Sequence, residues 1–79
     1  MEKVLFNGRY YNYEIKDNFG LRFEGFIPYN LLVELKKAIF KKNQKQIDNN
    51  KTTKERRKQL IQVNRNILDW FSKNKEEVK

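Results

Sequence analysis

The chain has 79 residues, 18 Lys and Arg against 10 Asp and Glu, a formal net charge of +8, and neither Cys nor His. A chain this short makes one domain, residues 1–79. Without Cys or His it lacks disulfides, zinc ligands and the commonest catalytic base and thiol nucleophile. No apolar run approaches the ~18 residues of a membrane span, and the first residues lack the apolar core of a signal peptide. The sequence therefore predicts a cytoplasmic, non-enzymatic protein with no cofactor, no metal and no membrane partner.

Residues 3–6 and 9–15 are rich in β-formers and flank Asn7-Gly8. Asn-Gly between two such runs predicts a hairpin with a type I′ turn, which needs positive φ at both central residues. This pairs Phe6 with Arg9, Leu5 with Tyr10 and Val4 with Tyr11. The next turn lies in Asp17-Asn18-Phe19-Gly20. A three-residue loop, 18–20 with Gly20 left-handed, pairs Ile15 with Phe23, Tyr13 with Gly25 and Tyr11 with Ile27, which keeps one face apolar. The expected core face carries Val4, Phe6, Tyr11, Tyr13, Ile15, Phe23 and Ile27. The other face carries Leu5, Tyr10, Asn12, Glu14, Lys16, Arg22, Glu24 and Phe26. This register sets Glu14 against Glu24 and Lys16 against Arg22, unfavourable pairs that the diagonals can offset.

Pro28 ends the sheet unit, 1–28. A helix follows over 29–43, with Asn30 as N-cap and Leu31, Leu32, Leu35, Ala38 and Ile39 on its core stripe. Val33 and Phe40 form a second apolar patch that suggests contact with another helix or subunit. Residues 44–52 are polar and predict a loop, although the helix could continue through part of them. Thr52 and Glu55 fit a capping box for a second helix, 53–73, whose inner face is Leu60, Val63, Asn64, Ile67 and Phe71. Residues 74–79 are expected to fray. The predicted fold class is α+β: a three-stranded antiparallel meander, then two helices packed on one sheet face (β-β-β-α-α). The alternative is a last helix that swings out to make a homodimer.

The charge is focused. Residues 36–58 hold ten basic and two acidic side chains, a surplus equal to the whole net charge, whereas residues 1–28 are neutral. Such a patch predicts a polyanionic partner. Lys36, Lys37, Lys41 and Lys42 fall in the last turns of the predicted first helix, where cations suit the dipole. Lys54, Arg56, Arg57 and Lys58 fill the first turns of the second, where the dipole disfavours them. An external anion would explain the second placement, since N–H groups at a helix start also point at anions. The expected phosphate-binding residues are Lys41, Lys42, Lys45, Lys51, Lys54, Arg56, Arg57 and Lys58. About five such contacts on duplex DNA would give a slope of log K against log salt near −4.5. Base contact is expected from the outer sheet face, through Tyr10, Asn12, Arg22 and Phe26.

Asn7-Gly8-Arg9-Tyr10-Tyr11-Asn12-Tyr13, then Asp17-Asn18-Phe19-Gly20, with three strands before a helix, resembles the arm-type DNA-binding domain of tyrosine-recombinase integrases over residues 7–43. The resemblance implies a sheet laid in the major groove. The chain departs from it in Glu14 and Glu24, which would repel DNA, and in the helix start 27–30 and second helix. The reading is a small basic nucleic-acid-binding protein, DNA before RNA, of phage or mobile-element origin. The alternative is a phage-encoded inhibitor of a host enzyme or defence complex, of the anti-CRISPR kind, that docks on an acidic protein surface.

Overall fold

A computed structural model describes residues 1–74. Strands β1 (Glu2–Phe6), β2 (Arg9–Ile15) and β3 (Leu21–Phe23) form an antiparallel sheet in the order β1-β2-β3, followed by helices α1 (Tyr29–Asp48) and α2 (Lys54–Asn74). Helix α1 packs along β1, and α2 packs on α1. The predicted α+β meander with its two helices is the observed fold. Helix α2 folds back within its own chain instead of swinging out.

The first hairpin forms as the Asn-Gly dipeptide dictates. Phe6 faces Arg9, Leu5 faces Tyr10 and Val4 faces Tyr11, and both turn residues are left-handed, Asn7 at φ 53 and Gly8 at φ 75.

The second hairpin differs. Tyr13 faces Phe23, Glu14 faces Arg22 and Ile15 faces Leu21, two residues away from the expected register. The loop is 17–19: Lys16 N donates to Gly20 O at 2.8 Å, and Phe19 N donates to Lys16 O at 2.7 Å. Phe19 takes the left-handed position at φ 58, not Gly20. The glycine serves for space. Its N–H donates to Asn18 Oδ1 at 3.0 Å, and a Cβ there would stand 3.0 Å from that same oxygen. A two-residue slip leaves the same side chains facing inward, so apolar pattern cannot choose between the registers. Charge can. The observed register replaces the two like-charge pairs with Glu14 against Arg22 and with an Asn12 Nδ2 to Glu24 Oε2 hydrogen bond of 2.6 Å.

All seven side chains expected on the core face join the core, and Leu21 joins them. Buried Val4 and Tyr13 meet Leu35 and Ile39 of α1 and Val63 and Ile67 of α2. Strand β3 ends at Phe23, so Phe26 lies in the connection to α1 and not in the sheet; it is 91% exposed.

Helix α1 begins after Pro28, whose φ of −59 suits a helix start and whose carbonyl accepts from Leu32 N at 2.8 Å. Asn30, the expected cap, is already helical. The helix also runs five residues past the expected Asn43, because Gln44, Lys45 and Gln46 are good helix formers and no Gly or Pro stops it before Asn49. The predicted loop 44–52 thus shrinks to 49–53. Thr52 does not cap α2: its hydroxyl donates to Gln46 O at 2.6 Å, closing the end of α1. Thr53 takes the cap instead and accepts from Arg56 N at 3.2 Å, which moves Glu55 out of the capping-box position. The expected fraying over 74–79 falls outside the described residues, apart from Asn74, the last residue of α2.

One polar pair sits in the helix–helix contact. Asn43 Nδ2 donates to Asn64 Oδ1 at 3.1 Å, and both residues are buried. Asn43 Oδ1 has no donor, a cost of about 1–3 kcal/mol. Such a pair resists sliding of one helix along the other, because any other register leaves more amide groups unpaired.

Candidate nucleic-acid interface

The cations of residues 36–58 do not converge on one anion site. Three of the eight expected phosphate ligands turn inward. Arg56 Nη2 meets Glu2 Oε1 at 2.5 Å, and Arg56 Nη1 donates to Gln59 Oε1 at 2.6 Å. Glu2 lies on the inner face because it pairs with Tyr13; no spacing in the sequence joins it to a residue 54 positions away. Lys42 Nζ donates to Lys3 O at 2.7 Å and to Tyr13 Oη at 3.1 Å, with Glu2 Oε1 4.0 Å away. Burial pulls the Lys42 ammonium below its usual range, with Arg56 adding to the effect and Glu2 opposing it. Burial also raises the Tyr13 hydroxyl well above the ordinary tyrosine value, helped by Glu2 and opposed by Arg56. Arg57 Nη2 donates to Asn49 O at 3.2 Å and Thr52 O at 3.5 Å, fastening the link between the helices. Arg56 and Arg57, two of the four cations at the start of α2 that the dipole disfavours, thus find their reason inside the molecule.

Lys36 is also engaged. Its ammonium stands 4.7 Å from the centre of the Trp70 ring, and burial lowers its pKa.

The remaining cations face water in two groups. Lys51 on the link and Lys54 and Lys58 on α2 are exposed. On α1, Lys37, Lys41 and Lys45 recur every fourth residue, about 6 Å of rise apart, and make a row about 12 Å long. This row borders two shallow depressions, one among α1, α2 and Phe6 of β1, the other between α1 and the β1 edge of the sheet. One, about 420 Å³, is lined by Phe6, Ala38, Phe40 and Phe71, with Lys37 and Lys41 at its edge. The other, about 430 Å³, is lined by Lys3, Leu5, Tyr10, Lys41, Lys42 and Lys45. Ala38 and Lys41 line both, so the two depressions adjoin along α1 and are together called the β1–α1 groove. Glu34 lines the first depression. Among the described residues no carboxylate forms an ion pair with Lys3, Lys37, Lys41 or Lys45.

The four expected base-contacting residues are dispersed. Asn12 is tied to Glu24. Arg22 sits 3.8 Å from Glu14, which also binds Lys16 at 3.1 Å and has its carboxyl held below the usual range by that lysine. Phe26 has left the sheet. Asn12 faces Lys3 across the ladder, and Tyr10 lines a depression with Lys3, Lys41 and Lys45, 65% exposed, with its cross-strand partner Leu5 54% exposed.

Lys3 and Lys37 were not among the expected ligands. The spacing 37, 41, 45 is legible in the sequence as a helical row, whereas Lys3 joins it only through the packing of β1 on α1.

No family model matches the chain, and neither a curated protein nor a solved structure matches it significantly. No matching family stands behind the likeness to the integrase arm-type domain. No helix among the described residues is long and apolar enough to cross a membrane.

Proposed function

We propose that the protein is a non-enzymatic nucleic-acid-binding protein that holds the phosphate backbone in the β1–α1 groove. The observation that carries this reading is the row Lys37, Lys41, Lys45 with Lys3 across from it: four cations and one carboxylate, Glu34, lining two adjoining depressions, with no ion pair to any of the four among the described residues. A stripe of cations repeated at regular spacing suits a chain of repeated negative charges. Such contacts hold the ligand without reading its sequence. Lys51, Lys54 and Lys58 add long-range attraction that is screened by salt.

The test is a titration of labelled oligonucleotides at two salt concentrations with Lys37→Gln/Lys41→Gln/Lys45→Gln. The expected outcome is weaker binding to every sequence, with the slope of log K against log salt reduced by about 2–3, close to one unit per lost phosphate contact. Unchanged affinity and slope would remove the groove from the reading.

A further inference from the structure

The groove holds an aromatic ring as well as cations, and this distinguishes one kind of nucleic acid from another. Tyr10 lies on the outer sheet face at the start of β2, lines the same depression as Lys3, Lys41 and Lys45, and is 65% exposed. Leu5, directly across the ladder, extends the apolar surface beside it. In a duplex each base face is covered by its neighbours, so an exposed ring gains little from it. An unpaired base offers its face for stacking. The charges of the sheet point the same way. Glu14 is four residues further along β2, about 13 Å away, and Glu24 pairs with Asn12 beside β3. Neither carboxylate lines the depression that holds Tyr10, although Asn12, which binds Glu24, faces Lys3 across the ladder. A duplex lying across the whole sheet would bring phosphates against them; a strand passing through the depression of Lys3, Tyr10, Lys41 and Lys45 meets no carboxylate in its lining.

We infer that the ligand is a single strand, its phosphates along Lys37, Lys41 and Lys45 and an unpaired base stacked on the Tyr10 ring with Leu5 at its edge. This rests on the proposed phosphate binding and goes further in naming the strandedness and the stacking residue. Lys42 forms part of the groove floor, because its ammonium is already committed to Lys3 O and Tyr13 Oη.

The experiment compares wild type, Tyr10→Ala, Tyr10→Phe and the triple lysine variant for binding fluorescent oligothymidylate and a duplex of the same length at one salt concentration. Circular dichroism confirms that each variant is folded, as an exposed position allows. Tyr10→Ala is expected to weaken single-strand binding roughly five- to a hundredfold, the range for loss of one base–aromatic stack, and to leave duplex binding unchanged. Tyr10→Phe keeps the ring and is expected to bind as wild type does. Loss in the lysine variant with none in Tyr10→Ala, or equal losses for strand and duplex in Tyr10→Ala, would overturn the stack and leave phosphate binding standing. No loss in the lysine variant, or no binding of either probe by wild type, would overturn both.

Discussion

Lys41 opens onto the groove beside Tyr10, whereas Lys42, one residue on, turns under the sheet edge and donates to Lys3 O and Tyr13 Oη. The same contrast separates Lys58, exposed on α2, from Arg56, two residues earlier, which meets Glu2. The basic stretch therefore does two jobs. One set of cations joins the helices to the sheet; the other is left for solvent or a partner. Formal charge is identical in the two sets. What differs is which helical face each residue falls on, and whether that face meets β1 or water.

The sharpest way to break this division is to remove the inward set. Arg56→Ala leaves the partly buried Glu2 carboxylate without its guanidinium. It is expected to cost about 1.5–3 kcal/mol, the range for hydrogen bonds to charged groups, read as a lower urea midpoint at unchanged m. In a double-mutant cycle with Glu2→Gln, the two losses should be less than additive. Full additivity would mean that the pair does not couple.

A second test uses alkaline pH. The folded state holds the Tyr13 hydroxyl above its ordinary value near 10, so above that pH the unfolded chain loses this proton first. Stability from Tyr13 is present below about pH 10 and falls as pH rises beyond it. Tyr13→Phe is expected to flatten that fall, at some cost at neutral pH from the lost hydroxyl that accepts from Lys42. Parallel stability–pH curves for the two proteins between about pH 9 and 11 would contradict the assignment.

The smallest expected effect sharpens the outward side. Lys41→Ala should leave stability within about 0.5 kcal/mol, as exposed substitutions do, while weakening oligonucleotide binding. A large drop in thermal midpoint would place Lys41 with the inward set.

Element types and the inner faces were legible because local chemistry writes them. Asn7-Gly8 sets one hairpin, and the apolar stripes 35/39 and 60/63/67 set both helix faces. The register of β3 was not, since a slip of two preserves the alternation of apolar residues, and the deciding contacts lie on the outer face and at Asn66. The Asn66 amide, on α2, donates to the carbonyls of Phe19 at 3.0 Å and Asn18 at 3.4 Å, holding the turn from a distance that no local pattern reveals. The end of α1 lies beyond its expected place because Gln44, Lys45 and Gln46 suggest a loop by their polarity while their helix propensity is high. At the candidate site, the density of cations was legible and their direction was not. Direction depends on Glu2, which charge counting placed in a neutral segment.

The link 49–53 contains neither Gly nor Pro, and both its sides are closed, by Thr52 on Gln46 and by Arg57 on Asn49 and Thr52. Copies of the chain can exchange their last helix only by undoing those closures, so the fold carries a built-in barrier to domain swapping.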